Sequence, residues 1–439
     1  MATIIPFKGV LYNPDMVGEV REVVAPPYDV IDGELQRALH ARHPNNVIRL
    51  ELGLDHSDDG PTRNRYTRAA ASLRDWLAAG ILRRDAKPAI YLHTVEFRVS
   101  PGEASRVLKG FLATVALEEF GTGRIFPHEG TRAAAKADRM KLLESCRANF
   151  SPIFSLFSNP DGRVLQLLEK SVDTEHPRVD FLDDAGFRQR LWAVTDRAIL
   201  GEVAHAMERT PLFIADGHHR YETALAYRSS QRQQGGGPAP SGFRPFDAVL
   251  MLCSSLEDPG LTVLPTHRVL RTPVPAVGGI KDLLREAFEI EEIPVQDDAE
   301  AESRRRFLET LRVRGQAGPA FGLALRGCRA YMLLTLRPAR RDATSVSARE
   351  RLDVAILHKL VLSKLSPAEP GDGEILYTQD ANDALDLVGR GAAEAALLLN
   401  PTKVSEVLAV AQSGERMPHK STYFYPKPLT GLVMNVFEE

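Results

Sequence analysis

The segment PLFIADGHHRYETALAYR, residues 211–228, limits what this chain can fold into more than any other stretch. Its apolar start reads as a strand and Asp216-Gly217 as a turn, and the spacing through Tyr227 is helical. A strand feeding a helix N-terminus in this way belongs to an α/β layer, at the point where such layers commonly hold ligands. Five ionisable side chains, Asp216, His218, His219, Arg220 and Glu222, fall within seven positions. Gly217 allows close backbone approach, the helix start attracts an anion, and Arg220 can grip phosphate oxygens with a planar fork. Asp216 can then hold a divalent cation or accept a proton. The same residues would also make a helix-start salt-bridge network with one histidine satisfied in the core. Adjacent helical histidines point ~100° apart, which disfavours a zinc site built on both.

The flanking sequence supports a mixed α/β or α+β body. Pro26 and Pro27 force extended geometry before Tyr28, a short helix is expected from Asp32 to Arg42, and NVIRLEL from Asn46 reads as a strand. A helix from Thr62 to Ala79 ends at Gly80, and strands are expected from Ile90, Val107, Ser151, Leu191 and Ala248, with a helix near 187–191. Another helix is expected from Thr131, as its cap, to Arg147. QRQQGGGPAPSG from Gln231 reads as a mobile excursion. Residues 1–270 are expected to form the main body, 271–345 an appended smaller α/β lobe, and 346–439 helices and a polar strap returning to the body.

Composition excludes several classes. With 55 basic and 58 acidic residues the formal charge is −3, so nothing draws the whole chain to nucleic acid or anionic membrane. Cys146, Cys253 and Cys328 are widely separated, with no disulfide or zinc-ligand spacing. No apolar run reaches the ~18 residues needed to span a membrane. A cytoplasmic protein with no membrane partner is expected.

Two further clusters carry chemistry. PHEGT at 127–131 precedes KADR, whose Lys136 and Arg139 share a helix face; Glu129 can act as a carboxylate base beside cations that neutralise phosphate, or merely cap. MPHKSTYFYPKPLTG offers Lys420, Ser421, Thr422 and Lys427 to phosphate, although it lacks the glycines of a Walker A loop. Arg21, Tyr28, Asp29, Arg49, Glu51, His267 and Arg268 are lesser candidates.

APPYDVI, HPNNVIRLELG, PHEGTRAAAKADRMKLL, NFSPIFSLF, FIADGHHRYETAL, LPTHRVL and MPHKSTYFYPK, in this order, resemble the family called domain of unknown function 1015. The DGHHR segment also resembles the nucleotide-phosphate motif of the ParB and sulfiredoxin-like superfamily, which includes kinases acting on free L-serine. That resemblance matches DGxHR to Asp216, Gly217, His219 and Arg220, with His218 at the variable position. It implies a kinase using ATP or ADP with Mg²⁺ and phosphorylating L-serine or a similar small metabolite. Asp216, His219 and Glu129 are then expected to be catalytic, with the base open between Glu129, Asp216 and Glu51. Gly217, His218, Arg220, Lys136, Arg139, Lys420 and Ser421 are expected around the nucleotide. The alternatives are a ParB-like nucleotide-binding protein acting on nucleic acid, for which no helix-turn-helix or arginine-rich face is evident, and a noncatalytic metabolite sensor.

Overall fold

The computed structural model describes residues 3–100, 102–235, 243–338, 347–365 and 374–438. The chain divides into two compact units. The first comprises Met1–Pro127, Thr131–Thr262 and Pro426–Glu439, and the second His128–Gly130 and Val263–Tyr425.

The first unit is built on a mixed nine-stranded sheet. Its strands are β1 (Ile4–Ile5), β2 (Ile90–Phe97), β3 (Arg106–Ala116), β4 (Ile125–Phe126), β5 (Ile153–Phe157), β6 (Val179–Leu182), β7 (Arg188–Val194), β8 (Leu212–Asp216) and β9 (Ala248–Ser255). They are ordered β4-β8-β5-β9-β3-β2-β7-β6, with β1 added on β3. The pairs β4/β8 and β5/β9 are parallel and the others antiparallel. β9 is buried along its whole length, as a continuous apolar run in a sheet centre must be.

Helices α1 (Gly33–Arg42), α2 (Ile48–Glu51), α3 (Arg65–Ala78), α4 (Ala133–Cys146), α5 (Arg163–Lys170), α6 (Arg197–Met207) and α7 (His218–Gln233) belong to this unit, after a single helical turn at Pro14–Val17. One core joins the sheet to α5, α6 and the Tyr221, Ala224 and Leu225 face of α7. A second gathers the N-terminal segments, α3, α4 and the chain's last residues. Asp32 caps α1 by accepting from the Leu35 amide, as its position before the helix suggests.

Three local expectations are corrected. NVIRLEL folds as the short helix α2, because Asn46 donates to the Glu22 and Val24 carbonyls and accepts from the Ile48 amide, fixing a turn that the alternating pattern does not reveal. Residues 187–191 enter β7 instead of a helix, paired on both sides by β2 and β6. Thr131 does not cap α4: Arg132 takes that position without a side-chain bond, and the Thr131 hydroxyl donates to Glu222 instead. The glycine-rich part of the excursion after Gln231, residues 236–242, lies outside the described residues.

The second unit is a six-stranded, wholly antiparallel sheet. Its strands are β10 (His267–Leu270), β11 (Phe288–Pro294), β12 (Ala320–Leu325), β13 (Ala330–Leu336), β14 (Ile375–Thr378) and β15 (Ala395–Leu399), in the order β11-β13-β12-β15-β10-β14. Alternate residues of β12 enter different cores, Phe321, Leu323 and Leu325 on one face and Ala320 and Ala324 on the other. Helix α8 (Val277–Leu284) and the helical stretch 353–365 cover the first face; α9 (Glu300–Ala317) and α10 (Ala381–Gly389) cover the second. A lobe confined to 271–345 would therefore be incomplete, since β15 pairs directly with β12 and comes from beyond it.

No helix among the described residues is long and apolar enough to cross a membrane.

Close packing at the edge of β3 yields a stability prediction. A Cβ at Gly260 would collide with the Val107 carbonyl, a backbone group that cannot swing away. Gly260→Ala is expected to cost about 1–3 kcal/mol, the usual penalty for overpacking. Urea unfolding of both proteins measures it, and an unchanged midpoint would show that this strand edge yields.

Candidate functional site

Asp216 ends β8 at a register slip, with Ile214 opposite Ser155 but Asp216 opposite Phe154. A bulge of this kind re-aims the side chains beside it. Gly217, at φ 95°, then turns the chain into α7 through a left-handed conformation that glycine adopts without strain. Arg220 folds back over this turn, its Nε and Nη2 lying 3.0 Å from where a Gly217 Cβ would stand. The guanidinium donates through Nη1 to the Pro152 carbonyl (2.6 Å) and through Nη2 to Asp216 (2.8 Å). Its buried Nε has no hydrogen-bond partner among the described residues.

The second oxygen of Asp216 accepts from Lys427 Nζ at 2.8 Å. Lys427 arrives on the C-terminal strap, and it also pairs with Asp29. Backbone bonds between Ala25 and Thr430 in both directions hold the strap against the APPYD segment, which explains how residues so distant in sequence meet. Burial disfavours the charge on Asp216, but Lys427 and Arg220 outweigh it and hold the carboxyl well below its ordinary range. Burial likewise opposes the charge on Lys427, and Asp216 and Asp29 more than restore it, raising its pKa.

A second buried ion cluster lies alongside. Arg139, only 5% exposed, directs Nη1 to Glu51 Oε1 (2.9 Å), both Nη1 and Nη2 to the Glu51 carbonyl, and Nε to Asp138 (2.8 Å). Its flat face lies over the Tyr28 ring, 4.2 Å from the centroid. Asp138 in turn accepts from Tyr66 (2.7 Å) and pairs with Arg65. Ser151 also donates to Glu51 Oε1 (3.2 Å), whereas Glu51 Oε2 accepts no hydrogen bond among the described residues.

Glu51, Arg139, Ser151, Arg220 and Thr223 line one small cavity of about 40 Å³. One water needs ~10–15 Å³ of such space, so the cavity suits a few polar atoms and no nucleotide. The unpartnered Arg220 Nε and Thr223 Oγ1 both belong to its lining residues.

The first unit thus brings together Asp216, Gly217, His218, Arg220 and Arg139. Arg139, expected to neutralise phosphate, is committed to Glu51 and Asp138 instead. Lys136 pairs with Glu222 (2.9 Å). His219 Nε2 accepts from the Arg132 amide (2.9 Å), which places the ring proton on Nδ1. His218 is buried in the first turn of α7. Glu129, Lys420 and Ser421 belong to the second unit. There Glu129 meets His419 Nδ1 (3.2 Å), Lys420 offers its carbonyl to Arg268 (2.9 Å), and Ser421 donates to the Pro418 carbonyl (2.6 Å). Lys427, Asp29, Tyr28 and Glu51 are more central than their sequence signals indicated. Asp138, Arg65 and Tyr66 carried no signal beyond the Asp138-Arg139 neighbourhood.

Residues 4–355 match the family described as Protein of unknown function (DUF1015). The chain belongs to this family. No curated protein matches this DUF1015 chain. Among solved structures, a free serine kinase in complex with AMP is similar at 13% identity, covering 72% of this chain and 88% of that one, with a TM-score of 0.33. SbnI with a C-terminal truncation, from Staphylococcus aureus, is similar at 12% identity, covering 73% and 85%, with a TM-score of 0.36. A conserved hypothetical protein from Pyrococcus furiosus is similar at 13% identity, covering 72% and 92%, with a TM-score of 0.29. Similarity at this level says nothing about the activity of the DUF1015 chain.

The paired shifts fix how the triad responds to pH. Asp216 has a depressed folded pKa, so its contribution is present above the unfolded value of about 3.9 and is lost as pH falls toward the folded one. Lys427 has a raised folded pKa, so its contribution is full below about 10.4 and is lost above it. Lys427→Met is expected to cost roughly 3 kcal/mol at neutral pH, as for a broken buried pair. It should also start the acid loss at higher pH, because one of the two cations holding Asp216 charged is gone. Urea midpoints between pH 3 and 7 for both proteins test this, and superposable profiles would refute the assignment.

Proposed function

We propose that this protein is a phosphotransferase, moving a phosphoryl group from ATP or ADP to the hydroxyl of free L-serine or a similar small metabolite. The observation that carries the reading is the pairing, on one small cavity, of an arginine with an unused buried donor and a carboxylate with an unused oxygen. Phosphoryl transfer asks for little beyond these elements: positioning, cations around the moving group, and a carboxylate that orients or deprotonates the alcohol. The likeness of the DGHHR turn to nucleotide-phosphate motifs supplies the donor class, and its likeness to free serine kinases supplies the acceptor.

In this reading the acceptor hydroxyl oxygen bonds to the terminal phosphorus while the bond from phosphorus to the nucleotide's bridging oxygen breaks. The hydroxyl proton passes to Glu51 Oε2. Glu51 suits this task better than the other two carboxylates considered. Both oxygens of Asp216 are held by cations, and Glu129 is engaged by His419 in the second unit. Arg139 and Ser151 hold Glu51 Oε1 and so aim the remaining oxygen, while Arg220 supplies charge to the phosphoryl group through Nε. The donor set fits nucleotide phosphate through the Gly217 turn, the positive end of α7 and Arg220. It offers no carboxylate cage for Mg²⁺: no group of three or more ligating side chains exists among the described residues, and Asp216 is occupied. No step here is assigned to the metal.

Phosphorus NMR of the purified protein with L-serine and ATP, ADP or pyrophosphate tests the reading directly. Phosphoserine is expected with at least one nucleotide. Glu51→Gln, which keeps the acceptor atom for Arg139, should still bind nucleotide but turn over about 10²-fold more slowly or worse. Arg220→Ala should lose roughly tenfold or more, the equivalent of one charged hydrogen bond. Both variants are checked for cooperative melting. Nucleotide binding without any phosphorylated product across small hydroxylated metabolites would make the protein a sensor, and absence of nucleotide binding would remove the proposal.

A further inference from the structure

The second unit contains a buried arginine handled in a way opposite to Arg139. Arg268, at the start of β10, is 0% exposed. It forms no salt bridge among the described residues; its hydrogen bonds go to two neutral carbonyls, Thr266 through Nη1 and Lys420 through Nη2. Its only ring contact among the described residues is the face of Tyr377, 5.7 Å away, a weak substitute for a counter-ion. Among the described residues the Nε is buried without a partner, and so are Thr266 Oγ1, two residues earlier in the same extended segment, and His358 Nε2.

Several features tie His358 to this place. It opens a π-helical segment, His358–Leu362, a rare geometry that recurs at functional sites. Burial, with the positive charge of Arg268 and His419, pushes its imidazole down to about 4, which leaves it neutral near pH 7. His419 packs edge-on against the same Tyr377, at 6.0 Å. Lys420, whose carbonyl receives Arg268, holds a left-handed φ of 56° that a residue other than glycine rarely adopts.

A guanidinium fully withdrawn from water without an acid is expensive, and unmet hydrogen bonds around it add to the cost. Ordered water would meet the hydrogen bonds but would bring no charge. We infer that the second unit carries a small-anion site, in which the Arg268 guanidinium takes the oxygens of a carboxylate or phosphate group while Thr266 Oγ1 and His358 Nε2 complete its hydrogen bonds. The site is independent of the phosphotransferase reading, since every residue in it belongs to the second unit. It absorbs two sequence features that the reading leaves unused, the PTHR and MPHK segments.

The test is equilibrium dialysis of the full chain against radiolabelled inorganic phosphate and, separately, acetate. Arg220→Ala is used alongside wild type so that phosphate at the first unit is counted apart. One equivalent of phosphate, of acetate or of either is expected in Arg220→Ala, and which anion binds distinguishes the two sources. Arg268→Met should abolish that equivalent and should melt above wild type in anion-free buffer, because the uncompensated charge is gone. Thr266→Val and His358→Leu should each weaken binding roughly threefold or more, the loss of one neutral hydrogen bond; they stand in if Arg268→Met fails to fold. Failure of both anions to bind Arg220→Ala would overturn the inference. So would binding that Arg268→Met retains, or, if that protein does not fold, binding unchanged in both other variants.

Discussion

The carboxylate of Asp216, gripped on one oxygen by Lys427 and on the other by Arg220, is the interaction on which the first unit's site depends. Each partner comes from a different part of the chain: the end of β8, the first turn of α7 and the C-terminal strap. A carboxylate this buried is tolerated only when paired, and removing one partner leaves a stranded charge. The ion triad therefore does more than bind groups together. It requires the strap to lie where Lys427 can reach, which brings Asp29 and Tyr28 into the neighbourhood of Arg220 and Arg139.

This network is close to electrically balanced. Arg65, Arg139, Arg220 and Lys427 face Asp29, Glu51, Asp138 and Asp216. An entering phosphate group would thus meet no surplus field of the kind a cluster of bare cations makes. It would have to use the donor that Arg220 leaves unpaired, or share a cation with an existing carboxylate. That constraint separates the acids by role. Asp216 and Asp138 serve the cations that hold them, whereas Glu51 is pinned through one oxygen only and so retains an acceptor with fixed direction.

How much of this was legible in the sequence follows the range of the interactions. The β8-Gly217-α7 junction is local: apolar run, glycine and helical spacing adjoin, and the structure has them where the pattern puts them. The alternation in NVIRLEL misleads because Asn46 decides the conformation through carbonyls at Glu22 and Val24, which no short window contains. Lys427 stands 211 residues from Asp216 and 398 from Asp29, so its place in the triad has no sequence signature. Arg139 shows the converse. A guanidinium suits carboxylates and phosphates equally, and only the fold reveals that Glu51 and Asp138 already occupy this one.

Arg139 and Arg268 are both nearly inaccessible, and the contrast between them shows what burial demands. Around Arg139 the protein supplies two carboxylates, an aromatic face and a carbonyl, and the arginine's pKa stays raised despite burial. Around Arg268 it supplies carbonyls and a tyrosine ring, and burial drags the pKa down to about 10. Even so depressed, Arg268 remains charged near neutral pH, so the desolvation cost cannot be escaped by losing the proton. Nor is it met by a carboxylate among the described residues: Glu129 is engaged with His419, and no salt bridge to the arginine forms there. Among the described residues one buried guanidinium is compensated by carboxylates and the other keeps an open donor, and the negative charge that the second calls for is what the inferred anion would supply.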